Sequence, residues 1–367
     1  MGKVDFDTTR RGLLKQGGML TAALALPDVA RAASAARPND DWAWLVGAWN
    51  VENRKLRERL TGNSDWLEFP GKSALWLTMG GLGTIDDNAF VMKDGVYRAA
   101  GIRAWDPATG TWAIWWLDGR APTAIDPPVR GRFRGDEGVF LGADTLRGHP
   151  IDVRFHWQGI HGPRPHWQQS FSPDGGKSWE MNFENFFSRT STTPAPVPRL
   201  PGEAAGVAPA DWEFLVGRWR VRHRRLAKRL VGGQDWQTFD GTLVNRPLMA
   251  GAGNFSDNVM NFPAGTARSV GLRAYDPARA LWSSWFLDGR SPRDIAPPLT
   301  GRFEGGVGTF HSAEMIDGKT VLTRVQWSGI GPNTARWEQS ASADGGATWE
   351  VNWVSEFQRD HATGSEA

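Results

Sequence analysis

Arginines set between apolar residues are the side chains of this sequence best suited to hold an acidic or carbonyl group. Arg103 lies in Gly-Ile-Arg-Ala-Trp and Arg154 in Asp-Val-Arg-Phe, and both recur 170 residues later, as Arg273 and Arg324. Side chains alternate along a strand, and in a barrel one of the two faces is the interior. A guanidinium makes bidentate, charge-assisted hydrogen bonds to carboxylates, while tryptophan supplies an apolar wall. The pattern predicts a site for a small hydrophobic or amphiphilic molecule.

Tryptophan, glutamine and aspartate near these arginines complete the predicted set, which is kept in both halves of the chain. The predicted ligand-binding residues are Arg103, Trp115, Asp118, Arg120, Arg154, Trp167 and Gln169, and then Arg273, Trp285, Asp288, Arg290, Arg324, Trp337 and Gln339. A second interpretation stays open, in which Arg103 pairs with Asp118 and Arg154 with Glu180 as internal salt bridges without a ligand.

The most distinctive block common to both halves is Leu-Asp-Gly-Arg followed by Pro-x-x-Ile-x-Pro-Pro. It occurs at Leu117–Arg120 and at Leu287–Arg290. A strand that runs into a proline-rich loop is typical of a barrel mouth, where functional residues concentrate. Alternatively, the aspartate fixes a turn by accepting hydrogen bonds from backbone amides.

Signals for catalysis or for a bound metal are weak. His156, His161 and His166 are five residues apart, a spacing that does not put them on one strand face, and the second half has no histidine at the equivalent positions. We interpret them as loop histidines, with haem ligation by His156 or His166 as the alternative. The chain has no cysteine, which excludes disulfides and thiolate metal sites, and it carries none of the common nucleophile, phosphate-loop or dinucleotide motifs. No cofactor or metal is predicted, and catalytic residues stay unknown.

The two halves are copies of one domain. Without any gap, Asp41–Arg189 aligns with Asp211–Arg359 with 63 identities in 149 positions, and sixteen of the 21 tryptophans fall into eight equivalent pairs. So long a period indicates two domains rather than a solenoid. The predicted domains are residues 38–190 and 210–360, joined by a Pro/Ala-rich linker at 191–209.

The first 36 residues are predicted to be a twin-arginine signal peptide. Arg10 and Arg11 precede two leucines and a lysine, the short apolar stretch Met19–Leu26 follows, and small residues around Ala30–Ala35 suit a signal peptidase. The predicted address is therefore the periplasm or the cell exterior, by the twin-arginine route, with no integral membrane segment after cleavage.

The charge of the mature chain gives no reason to expect a nucleic-acid partner. Cleavage after Ala32 removes five of the 42 basic and three of the 40 acidic residues, which leaves 37 of each. A chain so close to neutral lacks the basic surface that nucleic-acid binding requires.

Local signals predict strands and tight hairpins. Ser172–Trp179 and Ser342–Trp349 both fit the Asp-box pattern Ser-x-Asp-x-Gly-x-(Ser/Thr)-Trp, in which the aspartate accepts turn amides and glycines supply positive φ. Two such hairpins are too few for a sialidase-type propeller. Only Asn53–Leu60 and His223–Leu230 carry a weak helix signal, and a continuing strand fits them equally. Many short strands in about 150 residues predict an all-β barrel or sandwich.

Both domains resemble the lipocalin and fatty-acid-binding (calycin) superfamily at their two ends. Each begins with Gly-x-Trp, at Gly47–Trp49 and Gly217–Trp219, after an aromatic segment, and each ends with an arginine, Arg189 or Arg359. The whole repeat is also similar to uncharacterised bacterial lipocalin-like domains. The resemblance implies two tandem lipocalin-like antiparallel β-barrels, in which the tryptophan crosses the barrel bottom and the arginine packs on it.

Together these observations predict an exported binding protein that holds a small hydrophobic or amphiphilic ligand inside its barrels. The alternative is a barrel enzyme, an isomerase, cyclase or hydratase of a hydrophobic metabolite, by analogy with two-domain lipocalin-like hydratases. A third possibility is a pair of structural domains with packed interiors.

Overall fold

The computed structural model describes residues 40–203, 208–316 and 318–361. The predicted signal peptide, residues 1–36, lies outside the described residues. The chain divides into two compact units, each of which contains one closed antiparallel β-barrel of ten strands. The predicted fold class, an all-β chain with two antiparallel barrels in tandem, is confirmed.

In the first barrel every strand pairs with its neighbours in sequence, and β1 also pairs with β10 to close the barrel. Its strands are β1 (Gly47–Leu56), β2 (Trp66–Thr78), β3 (Gly83–Met92), β4 (Gly95–Asp106), β5 (Thr111–Asp118), β6 (Val129–Arg134), β7 (Glu137–Leu146), β8 (His149–Gln158), β9 (His166–Ser172) and β10 (Glu180–Ser191).

The second barrel repeats this order, with β11 closing on β20. Its strands are β11 (Gly217–Leu226), β12 (Trp236–Leu248), β13 (Gly253–Phe262), β14 (Gly265–Asp276), β15 (Leu281–Asp288), β16 (Leu299–Glu304), β17 (Val307–Ile316), β18 (Lys319–Ser328), β19 (Thr334–Ser342) and β20 (Glu350–Arg359). The segments with a weak helix signal begin within strands β1 and β11.

One end of each barrel is closed by the aromatic segment that precedes its first strand. A 3-10 turn at Ala43–Leu45 brings Trp42 to a fully buried position, edge-on to Trp112 and Trp157. Trp49 Nε1 donates to the carbonyl of Leu45. The same geometry recurs around Trp212 in the second barrel.

The terminal arginine of each barrel packs on the Gly-x-Trp tryptophan, as the resemblance implies. The Arg189 guanidinium lies 4.0 Å from the centroid of Trp49, and that of Arg359 lies 4.3 Å from Trp219. Arg189 also donates to the carbonyls of Trp44 and Val46. These contacts join the last strand to the closed end, so both arginines are structural.

Register identifies the inner face of each strand. The side chains of Trp49 and Val51 belong to the core, so their side of β1 is the inner one. Residues directly opposite each other on paired strands share a face, and the pairs that start from Trp49 place Ser73, Asn88 and Ala99 on the inner face as well. The same side then continues through the other strands back to β1. Because side chains alternate, every residue of a strand is thereby placed inside or outside.

The first barrel has the fewest paired residues between β5 and β6. Only Trp112, Ala113 and Ile114 pair with β6, whereas the proline-rich loop 119–128 follows the rest of β5. In that loop the amide of Asp126 donates to the carbonyl of Trp116 at 2.9 Å. The second barrel has the same three-residue pairing between β15 and β16. The block that predicted a barrel mouth therefore lies at a lateral gap in the wall.

The Asp boxes are tight hairpins, as predicted. The carboxylate of Asp174 accepts from the amide and the hydroxyl of Ser178, both following glycines have positive φ, and Trp179 covers the turn. These hydrogen bonds lower the pKa of Asp174 to about 2. The copy at Asp344 has the same bonds and the same lowered pKa.

The segment that follows the first barrel packs on its outer surface. The buried Arg98 donates to the carbonyls of Val197 and Pro198 and pairs with Glu203, and the amide of Val197 donates to Asp87. In the described part of the chain, no helix combines the length and the apolar character needed to cross a membrane.

Candidate ligand-binding site

Arg103 lies inside the first barrel at the closed end, where it forms a salt bridge with Asp86. On the paired strands β3 and β4, Arg103 is directly opposite Thr84 and Asp86 is directly opposite Gly101, so the two are diagonal neighbours, with Nη2 of Arg103 2.7 Å from Oδ2 of Asp86. The guanidinium stacks on Trp42, 4.5 Å from its centroid, and donates to Thr84. Asp118, the partner expected from sequence in the salt-bridge interpretation, lies further along the barrel and binds Arg120 instead. Arg103 is thus neutralised within the protein.

Arg273 occupies the equivalent place in the second barrel but has a different partner set. It stacks on Trp212 at 4.4 Å, and its Nη1 donates to Oδ1 of Asn254 at 2.8 Å and to Oγ of Ser256 at 3.0 Å. Ser256 stands where the first barrel has Asp86. Among the residues that the structure describes, no carboxylate lies within ion-pair distance of Arg273, and its Nε has no hydrogen-bond partner.

Burial without a counter-charge alters the acid–base behaviour of Arg273. Its side chain is only 7% exposed, and this desolvation lowers the pKa of the guanidinium to about 9. A group with that pKa is still a cation at neutral pH. A buried cation held only by neutral acceptors is costly, since neutral hydrogen bonds compensate a lost hydration shell poorly.

The glycine beside each arginine shows how much room the replaced carboxylate leaves. A Cβ added to Gly101 would meet both oxygens of Asp86 at 2.8 Å, so the carboxylate fills the space above this glycine. A Cβ added to Gly271 would meet Nη2 of Arg273 at 3.4 Å and Cβ of Ser256 at 3.8 Å. Ser256 therefore does not reach the place of the Asp86 carboxylate, and the edge of the Arg273 guanidinium lies against Gly271 instead.

Arg154 and Arg324 lie outside the barrels, although their apolar neighbours suggested the interior. Their strand neighbours Val153 and Phe155 face inward, so Arg154 faces outward. It stacks on the Asp-box tryptophan Trp179 at 4.4 Å, as Arg324 does on Trp349. Glu180, the expected partner of Arg154, instead accepts from the amide of Leu60. These arginines brace the hairpin and do not line the lumen.

Trp115 and Trp285 also face outward. Trp115 alternates with Ile114 and Trp116, which face the lumen, and both Trp115 and Trp285 are buried on the outer side of their strands. The tryptophan that lines the lumen is Trp116, whose equivalent is Phe286. Trp115 and Trp285 were predicted because both copies have a tryptophan at this position, whereas Trp116 has no tryptophan as its equivalent.

The late-strand residues of the prediction do face inward. Trp167 packs edge-on against Phe155 and Phe183, and Gln169 donates to Asn182 at 2.9 Å. In the second barrel Trp337 contacts Trp353, and Gln339 donates to Asn352 at 2.8 Å. These glutamines are held by amides of the neighbouring strand, which leaves the aromatic rings as the apolar wall.

Asp118 and Arg120 bind each other at the gap in the wall. Asp118 accepts from the backbone amide of Arg120 at 2.8 Å and forms an ion pair with its side chain at 2.5 Å. The Arg120 guanidinium then lies 4.0 Å from the centroid of Tyr97. Asp288 and Arg290 repeat the pair, with Arg290 over Phe262. The aspartate thus fixes the turn, as the second interpretation of this block held.

A small pocket, part of it continuous with solvent, lies beside this loop in the first barrel. Its apolar lining consists of Ile114, Trp116, Pro127, Val129, Ala143, Val153 and Phe155, and the carboxylates of Asp126 and Asp144 border it. The pocket therefore offers an apolar surface with acidic groups, and no arginine borders it.

The corresponding wall of the second barrel is more open. Phe286, which faces inward like Trp116, is 45% exposed, so solvent reaches the inner face of β15. Next to it, Ser284 replaces the buried Ile114. Further round the lumen Phe155 is replaced by Val325 and Phe171 by Ala341, whereas Leu243 on β12 and Trp353 on β20 are larger than their equivalents, Ser73 and Phe183.

The three clustered histidines of the first half do not meet in the lumen. His156 and His166 are on the outer face, the first beside Glu137 and the second stacked on Phe186, and His161 lies in the exposed loop between β8 and β9. None of them is placed to ligate a haem inside the barrel. Across the described residues, no group of three or more histidines, aspartates or glutamates is arranged to hold a metal ion.

Sequence reasoning overlooked one histidine that does line a lumen. His223 of the second barrel faces inward, stacks on Phe239 at 4.8 Å and contacts the hydroxyl of Ser355 at 2.8 Å. Burial lowers its pKa to about 4, so it is neutral at pH 7. Alternation along β11 from Trp219 places His223 on the inner face, and this was the signal that could have identified it. The inner position of Asp86 follows in the same way from its pairing across β2 and β3.

Comparisons with known proteins supply no family. No family model and no curated protein matches the chain. Among solved structures, it is similar to a protein of unknown function of the DUF3598 family from Nostoc punctiforme, at 11% identity and a TM-score of 0.24, over 89% of this chain and 100% of that one. It is also similar to transferrin-binding protein B of Haemophilus parasuis, at 8% identity and a TM-score of 0.18, over 85% and 76%. At such scores neither likeness supports an inference about function.

Proposed function

We propose that this chain is an exported binding protein, and that each barrel takes a small hydrophobic or amphiphilic molecule through the gap beside its proline-rich loop. The observation that carries the proposal is the apolar pocket between β5, β8 and loop 119–128, open to solvent at a place where the wall has only three paired residues. The exposed Phe286 marks the same place in the second barrel.

The pocket's lining fits an apolar guest better than a polar one. An exposed aromatic ring on an inner barrel face costs free energy in water, at roughly 25 cal/mol for each Å² that a ligand would cover. Aromatic and aliphatic walls with few polar groups are the usual composition of small-molecule sites.

Export remains part of the proposal on the strength of the signal sequence alone. The paired arginines, the short apolar stretch and the small residues that follow support the twin-arginine route. Folding before transport suits a chain with two closed barrels, and the lack of cysteine means that folding needs no oxidising compartment.

Titration with the neutral fluorophore Nile red, followed by displacement with decanol, tests ligand binding at the gap. Phe286→Ala removes an exposed inner ring and should weaken Nile red binding to the second barrel at least threefold with little effect on folding. Leu141→Ala is the matched control, because Leu141 is 52% exposed on the outer face of β7, and it should leave the affinity unchanged. No binding by the intact chain, or equal affinities of both variants and the parent, would contradict the proposal.

A further inference from the structure

The two barrels are built around the same buried arginine, but only one of them supplies its counter-ion. Arg103 has Asp86 at 2.7 Å, whereas Arg273 faces the neutral Asn254 and Ser256. Both guanidiniums lie under a closing tryptophan at nearly the same distance. The change from aspartate to serine is therefore the main chemical difference at an otherwise matched position.

In the second barrel the arginine itself lies above the glycine of β14. Gly271 corresponds to Gly101, which accommodates the carboxylate of Asp86, and the atoms nearest to a Cβ at Gly271 are Nη2 of Arg273 and Cβ of Ser256. A further donor lies on the same inner face, because the buried hydroxyl of Ser269 has no hydrogen-bond partner. A carboxylate at this place would meet a guanidinium and a hydroxyl.

The strand beside this place carries more exposed side chains in the second barrel. Gly271 pairs directly with Phe286 across β14 and β15, and Arg273 pairs with Ser284. Phe286 is 45% exposed and Ser284 is partly exposed, whereas Ile114, the equivalent of Ser284 and the partner of Arg103, is buried. The substitution that removes the internal carboxylate is thus accompanied by others that expose the inner face of β15.

We propose that the second barrel binds the carboxylate of a small monocarboxylic amphiphile at Arg273, as the counter-ion that Asp86 supplies in the first barrel. The inference rests on the proposed function and deepens it, since it names the polar end of the ligand and assigns it to one barrel. The apolar part of the ligand extends along Phe286 toward the gap. The first barrel, whose arginine is neutralised and whose pocket is bordered by Asp126 and Asp144, does not take a carboxylate.

The test uses the full chain, with calorimetric titration of decanoate and of decanol, which has the same chain without the charge. Decanoate should bind the parent at least tenfold more tightly than decanol. Ser256→Asp supplies the carboxylate from within and should remove that preference, while amide exchange around β13 and β14 slows as the ion pair forms. Asn261→Asp adds the same charge to the same barrel at an exposed position and should leave both affinities as they are.

Arg273→Met provides a second variant in case the first fails to fold, because methionine keeps an apolar chain in a buried place. It should also reduce decanoate affinity to that of decanol. If Ser256→Asp or Arg273→Met binds decanoate as the parent does, the proposal is overturned. It is equally overturned if inorganic phosphate or acetate displaces decanoate at concentrations similar to decanoate's own, since the site would then be a general anion site.

Failure of the proposed function is distinguishable from failure of this inference. If decanol binds and Phe286→Ala weakens it, but decanoate shows no advantage, the lumen takes apolar guests and Arg273 is a structural group. If neither decanol nor decanoate binds, both proposals are wrong.

Discussion

The main chemical difference between the two barrels is a substitution at a position where their strands correspond residue by residue. In the first, Asp86 and Arg103 form a closed internal salt bridge, and in the second Ser256 leaves Arg273 with neutral partners. Desolvating an ion pair costs several kcal/mol and is offset only by good geometry, whereas an unpaired buried cation has no such compensation. The second barrel tolerates this state, which indicates that stability alone does not determine the residue at position 256.

The closed ends, by contrast, are alike. Trp42 and Trp212, Trp49 and Trp219, and the two terminal arginines make the same contacts with the closing segment in both copies, and Arg359 adds a hydrogen bond to the carbonyl of Pro332. Duplication has therefore kept the contacts that build the barrel and changed several of the side chains that face its lumen, Asp86 among them. Predictions that separate these two classes of residue test that distinction.

The largest effect is expected from Asp86→Ser, which gives the first barrel the second barrel's residue. It leaves Arg103 buried without a counter-ion, and breaking such a pair costs about 3–5 kcal/mol of unfolding free energy. Amide exchange measured by mass spectrometry reports on each barrel separately, and only peptides of the first barrel should lose protection. A loss below about 1 kcal/mol would mean that the salt bridge contributes little.

Acid should weaken the second barrel more than the first, because His223 is buried as the neutral form. Its native pKa of about 4 lies below the ordinary value of 6.5, so its contribution is complete above pH 6.5 and is lost as the pH falls toward 4. The shift corresponds to about 3 kcal/mol. Asn53 stands at this place in the first barrel, where the only lowered histidine pKa among the described residues belongs to the half-buried His166 on the outer face. Exchange protection of β11 and β20 as a function of pH checks this.

His223→Asn is the matching variant, since it installs the first barrel's residue. It should flatten the pH dependence of the second barrel between pH 6.5 and 4, and Asn53→Gln in the first barrel should not change any pH dependence. An unchanged profile in His223→Asn would assign the acid sensitivity to other groups, of which Asp240 is the nearest charge to influence this histidine.

Removing the terminal arginines should have a smaller and similar effect in the two barrels. Arg189→Met and Arg359→Met each lose a cation–π contact and two hydrogen bonds to carbonyls of the closing segment, together about 1–3 kcal/mol. Arg359 also donates to the carbonyl of Pro332, so its loss should be larger by about one hydrogen bond, or about 1 kcal/mol. Thermal unfolding of both variants measures the loss, and a larger effect of Arg189→Met would contradict the view that the closed ends are equivalent.

The smallest effect on stability is expected from Ser284→Ile, which restores the first barrel's residue between the gap and the arginine. It should change the unfolding free energy by less than about 1 kcal/mol, because Ser284 is partly exposed. It should nevertheless reduce decanoate affinity about tenfold, corresponding to about 1.4 kcal/mol of binding free energy. Calorimetric titration measures it, and undiminished affinity would show that ligands do not approach along β15.

Much of the fold was predictable because its determinants are local or periodic. Gly-x-Trp, the terminal arginine and the Asp box act through neighbouring strands or a single turn, and the gapless repeat confirmed them by occurring twice. Strand faces were harder. Arg154 was expected inside because of its apolar neighbours and Trp115 was selected as a tryptophan present in both copies, but the inner face depends on a register that passes through all ten strands.

The site could be predicted only in part, for a related reason. Comparing copies for identity selects residues that build the barrel, such as Asp118 and Arg120, whose pair fixes a turn. Residues that distinguish the lumens, such as Asp86 against Ser256 and Trp116 against Phe286, are the ones that such a comparison discards. Their importance appears only once cross-strand pairing shows which of them lie side by side.

The central claim, that one barrel carries its carboxylate and the other receives one, is tested most directly by carbon-13 NMR of carboxyl-labelled decanoate bound to the full chain. One bound carboxyl signal per chain is predicted. It should stay at the chemical shift of the ionised form at pH values where free decanoate is protonated, because the Arg273 guanidinium stabilises the anion. The signal should vanish in Ser256→Asp. Two bound signals per chain, a bound signal that titrates like the free acid, or one that persists in Ser256→Asp would contradict the account.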